Sequence, residues 1–129
     1  MSFLTMFRNW KDIEEFDPQA VIFSEREPAD VVYVILSGDV ELTLHGKPLG
    51  TEGAGSIIGE MAMLEAATRN ATATARSHVK LARLDRGQFQ KMIGESAEFS
   101  FRAMTVLANR LRAVDGFIIS QMNEKGAAD

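Results

Sequence analysis

The 129-residue sequence contains no cysteine. The chain can therefore form no disulfide framework, no cysteine-ligated zinc or iron–sulfur site and no thiol nucleophile. It also lacks an excess of basic charge, because 14 Lys and Arg stand against 18 Asp and Glu, for a net charge of −4. That balance argues against a broad basic face for DNA or RNA, so we expect no direct nucleic-acid contact.

Long hydrophobic runs are missing as well. No segment reaches the roughly 18 consecutive apolar residues that a membrane-spanning helix needs, so no membrane association is expected. The composition, 46% hydrophobic and 25% charged, is typical of one soluble globular domain. The absence of cysteine is compatible with a cytoplasmic protein, which is the location we predict.

The middle of the chain has the period-two pattern of β-strands. Apolar residues alternate with polar ones over Val40–Leu44 and again over Ala71–Ala75. Val31–Leu36 is apolar at every position, as in a central strand covered on both faces. Ser37-Gly38-Asp39 is predicted to be a tight hairpin turn between neighbouring strands. Short strands separated by turns at this rate predict an antiparallel sandwich or roll.

Helical periodicity occurs at both ends of the chain. The apolar residues from Phe3 to Trp10 predict a short amphipathic helix that ends near Lys11. Asp85 with Gln88 resembles a capping box at the start of two C-terminal helices over about residues 86–123, the first ending at Gly94 and the second running from about Ala97.

The second of these helices carries an apolar seam. Its residues recur at spacings of three and four: Met104, Leu107, Leu111, Val114 and Ile118. Such a seam can be buried against the chain's own roll or can pair with the same helix of a second copy. Because further apolar residues continue to Met122, we expect a homodimer.

The stretch with the most chemical information is Gly53-Ala-Gly-Ser-Ile-Ile-Gly-Glu60, followed nine residues later by Arg69. Glycines allow backbone N–H groups to approach an anion closely, and a guanidinium offers two parallel N–H donors to a phosphate. Glu60 cannot bind a phosphate, because like charges repel, but it can accept from a sugar hydroxyl. A phosphate and a sugar in one small pocket indicate a nucleotide.

These residues stand in the order of a known family. Tyr33-Val-Ile-Leu-Ser-Gly38, the glycine-rich stretch ending at Gly59-Glu60, and Arg69-x-Ala-Thr72 resemble the cyclic-nucleotide-binding domain family, which includes the catabolite activator protein and kinase regulatory subunits. The similarity covers roughly residues 14–123. It implies one mainly β domain over 1–129: an eight-stranded, jelly-roll-like antiparallel β-roll over about 14–84, with a short N-terminal helix, a phosphate-cassette helix and the long C-terminal helix.

The resemblance also implies which residues bind the ligand. Arg69 would bind the exocyclic phosphate oxygen, and Glu60 would accept from the ribose 2′-hydroxyl. The expected ligand-binding residues are Gly59, Glu60, Met61, Ala62, Arg69, Asn70 and Ala71. The sequence departs from the family pattern at Asn70, where Ala, Ser or Thr is usual, and at Gln19 and Arg26, where Gly is common. Cyclic AMP is the expected ligand in preference to cyclic GMP, and the long helix is expected to close over the base near Val114 and Asp115.

Two functions are consistent with these patterns. The chain is either a cyclic-nucleotide sensor that couples occupancy to its C-terminal helix, or a degenerate roll that binds no ligand and acts as a dimeric protein-interaction module. An enzyme is not expected, because no nucleophile has a base beside it in a recognisable motif, and no catalytic cofactor is implied. His45 and His78 lack partners at metal-ligand spacing, so no metal is expected. Only six residues follow Asn123, so we expect no DNA-binding domain in this chain.

Overall fold

The computed structural model describes residues 3–60 and 68–128, apart from the side chains at 114, 117, 121 and 124–128. The described residues contain eight strands: β1 Ile13–Phe16, β2 Val21–Phe23, β3 Val31–Ser37, β4 Val40–Leu44, β5 Lys47–Glu52, β6 Ile57–Ile58, β7 Thr72–Ala75 and β8 Val79–Asp85. They form two antiparallel four-stranded sheets, β1-β8-β3-β6 and β2-β7-β4-β5. The predicted β-roll is confirmed. The predicted phosphate-cassette helix falls on residues 61–67, outside the described residues.

Strand β3 of the first sheet is buried on both faces, which explains its uninterrupted apolar run. Val32 and Val34 are completely buried among the side chains beneath the helices. Tyr33 and Ile35 point the other way, into the core between the two sheets. Strand β3 is thus the central strand that its sequence predicts, with β8 on one side and β6 on the other.

The turn after β3 is where the sequence-based prediction is wrong. Ser37-Gly38-Asp39 does not close a hairpin, because β3 lies in one sheet and β4 in the other. Both edges of β3 are already paired, one with β8 and the other with β6, so β4 cannot pair with it. Gly38 does take the predicted positive φ, of 92°. The turn therefore moves the chain from one sheet to the other.

The N-terminal segment is shorter than predicted. The structure has a 3-10 helix over Phe3–Phe7, not an amphipathic α-helix reaching Lys11. Phe3 and Phe7 are buried and pack on Phe99, with ring centroids 5.9 and 6.3 Å from that ring. The Trp10 indole leaves the helix and donates to the carbonyl oxygen of Arg83, 2.9 Å away. These contacts hold the N-terminus against the helical layer and end the helix early.

Two α-helices follow the roll, α1 over Arg86–Glu95 and α2 over Ala97–Ala128. The predicted capping box is present, with Gln88 N donating to Asp85 Oδ1 at 2.8 Å and Asp85 N donating to Gln88 Oε1 at 2.9 Å. The helix α1 ends one residue beyond the predicted Gly94. The helix α2 begins where predicted but runs five residues beyond Asn123.

The helix α2 packs on the roll with one face only. Phe99, Ala103 and Val106 are buried. The predicted seam lies elsewhere on the helix, and Met104, Leu111 and Ile118 are 60%, 60% and 50% exposed. These three seam residues are therefore not buried against the chain's own roll, whereas Leu107 is half-buried. Among the described residues, no helix is long and apolar enough to span a membrane.

Candidate ligand-binding site

Arg69 is held in place through its main chain by the turn that follows β2. Its N–H donates to the carbonyl of Glu27 at 2.9 Å, and the N–H of Arg26 donates to its carbonyl at 2.8 Å. Arg26 adopts a φ of 70°, a left-handed conformation that favours glycine. The position where the family usually has glycine is thus a strained backbone position that holds the main chain of Arg69.

The Arg69 side chain is buried, at 5% exposure. Its Cζ lies 4.3 Å from the ring centroid of Phe23 and 5.9 Å from that of Tyr33, and its Nη1 donates to the carbonyl of Gly59 at 3.3 Å. Burial lowers the pKa of the guanidinium, although it stays charged at neutral pH. A buried guanidinium with aromatic and carbonyl partners has donor capacity left for an anion.

Glu60 follows directly after β6 and Gly59, which has a φ of 82°. Its side chain is 1% exposed, and neither carboxylate oxygen has a hydrogen-bond partner among the described residues. Arg110 Nη1, on α2, lies 3.4 Å from Glu60 Oε1. Burial raises the pKa of the Glu60 carboxyl, and Arg110 opposes that rise. Glu60 is therefore a buried acceptor with free lone pairs, which suits a hydroxyl donor.

Beside these two groups lies a cavity of about 220 Å³. Its lining residues are Leu44, Leu49, Asn70, Ala71 and Arg110. Asn70 follows Arg69 in the chain, and Arg110 contacts Glu60, so Arg69 and Glu60 each neighbour a lining residue, while neither of them lines the cavity itself. The structure thus brings Gly59, Glu60, Arg69, Asn70 and Ala71 into one region. The other two predicted residues, Met61 and Ala62, lie outside the described residues.

The first part of the glycine-rich stretch faces elsewhere. The N–H of Gly55 donates to Ile35 and that of Ser56 to Gly53, so neither is available to an anion. Arg102 of α2 donates to the Gly55 carbonyl at 3.1 Å. Within Gly53–Gly59, only Gly59 contacts a predicted ligand-binding side chain, that of Arg69. Residues 53–56 therefore hold α2 on the roll.

Comparison with known proteins decides the family. The sequence profile described as "Cyclic nucleotide-binding domain" matches residues 13–96. The chain belongs to the cyclic nucleotide-binding domain family. The match begins at β1 and ends one residue after α1, so it covers the whole roll with Glu60 and Arg69, whereas Arg110 on α2 lies beyond the matched residues.

Three similar proteins show what kinds of protein this domain resembles. It is 31% identical, over 76% of this chain and 46% of the other, to a CRP-like cAMP-activated global transcriptional regulator of Mycobacterium tuberculosis. It is 38% identical, over 54% of this chain and 9% of the other, to a cGMP-dependent protein kinase of Caenorhabditis briggsae. The structure resembles the Thermus thermophilus catabolite activator protein with a TM-score of 0.72 at 24% identity, over 92% and 58% of the two chains. The chain spans less than half the length of these curated relatives.

One residue of the domain's site was not predicted from the sequence. Arg110 projects from α2 to Glu60, Glu52 and the carbonyl of Ile57. A signal for it exists, because Phe99, Ala103, Val106 and Arg110 recur at spacings of four, three and four. Arg110 continues the spacing of the buried apolar residues, which indicates that its charged side chain is also directed toward the roll. Of the two predicted base-closing positions, Asp115 is exposed and does not line the cavity, and the side chain of Val114 is not described.

Proposed function

We propose that this domain is a regulatory module that binds a cyclic nucleotide, with cyclic AMP preferred over cyclic GMP, and transmits occupancy through α2. Arg69 binds the phosphate and Glu60 accepts from the ribose 2′-hydroxyl. No bond is made or broken in this function. The chain acts as a binding protein whose output is the position of a helix.

One observation carries the proposal. A nearly buried guanidinium and a nearly buried carboxylate, Arg69 and Glu60, stand on the two sides of Gly59, and the carboxylate oxygens lack hydrogen bonds within the described residues. Leaving such groups without full partners in a protein interior costs free energy. A ligand with one negative charge and one hydroxyl, held a short distance apart, satisfies both.

The preference for cyclic AMP rests on Asn70. In the family, a hydroxyl at this position is associated with contacts to the phosphate or to guanine, and Asn70 offers an amide instead. Its side chain is exposed and lines the cavity next to Ala71. The similarity to a cAMP-activated regulator favours the same choice, while the similarity to a cGMP-dependent kinase favours the other, so the preference rests on Asn70.

Isothermal titration with cyclic AMP and cyclic GMP tests the proposal. We expect the wild-type protein to bind cyclic AMP more tightly. Arg69→Lys keeps the charge but loses the two-pronged donor, so its affinity should fall roughly 10- to 100-fold, as for a lost charge-assisted hydrogen bond. Arg69→Ala should bind still more weakly.

Arg76→Ala is the matched control. It removes an arginine of the same chain region that is paired with Glu41 on the surface, and it should leave the affinity unchanged. Thermal unfolding of each variant confirms that the fold persists. The proposal is refuted if the wild type shows neither heat nor a thermal shift with either nucleotide at millimolar concentration.

A second function, dimerisation, is favoured by the outer face of α2. Its exposed large apolar side chains are Phe101, Met104, Leu111, Ile118, Ile119 and Met122. A contiguous apolar face of this kind is typical of an interaction site, and its spacing suits a coiled coil. We propose that two copies pair through Met104, Leu107, Leu111, Val114 and Ile118. If the domain binds no nucleotide, we propose that it acts only as a dimeric protein-interaction module.

Sedimentation velocity tests the dimer with one charge placed on the seam. Leu111→Asp should convert a dimer to a monomer, because a carboxylate in an apolar helix pair is left without a partner. Ser120→Asp, which adds the same charge to an exposed position off the seam, should leave the dimer intact. A Leu111→Asp protein with the sedimentation coefficient of the wild type contradicts the proposal.

A further inference from the structure

The turn that follows β2 forms three hydrogen bonds to the segment that contains Arg69. The N–H of Arg26 donates to the carbonyl oxygen of Arg69 at 2.8 Å, and the N–H of Arg69 donates to the carbonyl oxygen of Glu27 at 2.9 Å. The N–H of Glu25 donates to Thr72 Oγ1 at 3.0 Å. Three consecutive residues of the turn therefore fix the main chain from Arg69 to the start of β7.

Arg26 occupies its place in this turn at a cost in conformational free energy. Its φ is 70°, in the left-handed region, where the Cβ of an L-residue is too close to the following carbonyl oxygen. Its side chain is exposed and makes no hydrogen bond or ion pair within the described residues that could offset the cost. A residue other than glycine persists in such a conformation only where its surroundings determine it. For Arg26, those surroundings include the main-chain hydrogen bond to Arg69.

The position of the Arg69 guanidinium depends on this turn. Its Cζ lies 4.3 Å from the ring centroid of Phe23, which ends β2 three residues before Arg26. If the turn relaxed to an ordinary negative φ at Arg26, the Arg69 main chain would lose a hydrogen bond. A ligand that needs the guanidinium in its present place binds only the protein in which the turn is formed. Its apparent affinity therefore falls with the fraction of protein in which the turn has relaxed.

We propose that Arg26 is a positioning residue for Arg69: its left-handed main chain holds the phosphate-binding guanidinium in place, and the strain of a non-glycine residue at this position keeps the ligand affinity below the value that glycine would allow. This inference rests on the proposed function, since it takes Arg69 as the residue that binds the phosphate. Arg26 acts through its main chain, so the size of the effect depends on the backbone preference of the residue at position 26 and not on its charge.

Gln19 provides a matched control at the other end of β2. It is exposed like Arg26, its φ is 78°, and its N–H donates to the carbonyl oxygen of Ala75 at 2.8 Å. Ala75 is the last residue of β7, at the opposite end of that strand from Arg69. The two positions share exposure, a left-handed backbone and one main-chain hydrogen bond, but only Arg26 is bonded to Arg69. Relieving the strain at Gln19 should therefore stabilise the fold without changing the ligand site.

The first measurement is the affinity for cyclic AMP in two pairs of variants that each differ by one methyl group. Arg26→Gly should bind roughly two- to tenfold more tightly than Arg26→Ala, because both lack the arginine charge and only glycine removes the left-handed cost. Gln19→Gly and Gln19→Ala should bind within about twofold of each other, as for a site independent of the ligand contacts. Urea unfolding should show the glycine variant of each pair to be the more stable.

Two results of these titrations and unfolding curves overturn the inference. One is equal affinity or equal stability of Arg26→Gly and Arg26→Ala, because the strain would then be absent or would not reach Arg69. The other is a gain in affinity from Gln19→Ala to Gln19→Gly as large as that of the Arg26 pair, because the effect would then be a general one of stability.

The second measurement needs no ligand, and it separates this inference from the proposed function. Hydrogen exchange of the Arg69 amide, whose N–H is bonded to Glu27, reports local opening of the turn. In the ligand-free protein, this amide should exchange roughly two- to tenfold more slowly in Arg26→Gly than in Arg26→Ala, and at equal rates in the Gln19 pair. Equal rates in the Arg26 pair overturn the inference. If the wild type binds no nucleotide, the proposed function fails, and this exchange rate still decides whether Arg26 positions Arg69.

Discussion

Replacing single glycines by alanine separates the conformational cost of a backbone position from its contact with the binding site. Gly50 and Gly46 provide the baseline, because the Cβ of an alanine at either position would meet no atom within 4 Å. Gly50 lies within β5, opposite Leu42, with no positive φ. Gly46 has a φ of 78° in the turn between β4 and β5. The two share open surroundings for a Cβ and differ in the sign of φ.

Gly59 and Gly38 add a contact to the positive φ. A Cβ at Gly59 would overlap with Nη1 of Arg69, the end of a side chain that can move. A Cβ at Gly38 would overlap with the carbonyl oxygen of His78 and lie 2.9 Å from the Cα of Val79, so the backbone itself would have to move. The expected cost therefore rises from Gly46 to Gly59 to Gly38.

The magnitudes follow from general values. Gly50→Ala should leave the free energy of unfolding unchanged or raise it by about 0.5 kcal/mol, since glycine weakens a strand. Gly46→Ala should lower the free energy of unfolding by about 1 kcal/mol. Alanine costs more than glycine in a left-handed conformation, and the smaller entropy of the unfolded chain offsets part of that cost. Gly59→Ala should lower the free energy of unfolding by about 2 kcal/mol, because the Arg69 hydrogen bond is lost as well. Gly38→Ala should cost about 3 kcal/mol or more, as a backbone clash in a packed region does.

Urea unfolding gives these free energies, and titration with cyclic AMP gives the affinity of each variant. Of these four variants, Gly59→Ala alone should lose affinity out of proportion to its stability, because its new methyl group would displace the guanidinium that we propose binds the phosphate. Gly46→Ala, with a matching backbone cost, should bind as the wild type does. Equal stability for Gly46→Ala and Gly59→Ala, together with wild-type affinity in both, would refute the placement of Arg69 against Gly59.

Two further predictions concern single interactions. Since burial raises the pKa of Glu60, the folded state holds this proton more tightly than the unfolded state, whose value is near 4.5. The ligand-free wild type should therefore lose stability relative to Glu60→Gln as pH rises from 4.5 through the folded pKa, and parallel curves from urea unfolding at several pH values would contradict this. Asp85→Ala removes the capping box of α1 and should lower the free energy of unfolding by about 1 kcal/mol, whereas Asp85→Asn should lower it less, by the same assay.

Local patterns predicted strands β3, β4 and β7 and the start of α1, because those signals depend on neighbouring residues. They did not identify β1, β5 or β6, and they misplaced the ends of the N-terminal helix and of α2. The alternation in Val40–Leu44 reports one buried face, and the Asp85 capping box needs only residues 85–88. The turn at Ser37-Gly38-Asp39 was misassigned for the opposite reason. Whether a tight turn closes a hairpin or links two sheets depends on which edges of β3 are already taken, and those partners, β8 and β6, are distant in sequence.

The difference between local signals and contacts between distant residues also applies to the site. Glu60 and Arg69 were predicted because a family pattern records them together with Gly59, and the structure places them in one region. Arg110 was not predicted, since its partner Glu60 lies 50 residues away in the sequence and the residues around Arg110 have the pattern of an ordinary amphipathic helix. The strain at Arg26 was predicted only as a departure from glycine. Its φ of 70° explains why glycine is the usual residue there.

The helix α2 carries two stripes with the same three-and-four spacing, and the structure uses them differently. The stripe that ends in Arg110 begins with the buried ring of Phe99 and continues with the smaller Ala103 and Val106, which allow the helix to lie close to the roll so that the long Arg110 side chain reaches Glu60. The stripe through Met104 and Leu111 is larger and more apolar, yet it is exposed. Hydrophobicity alone would have buried the wrong stripe. Because both stripes belong to one helix, the proposed coupling predicts that a shift which alters the contact at Glu60 also moves the outer face.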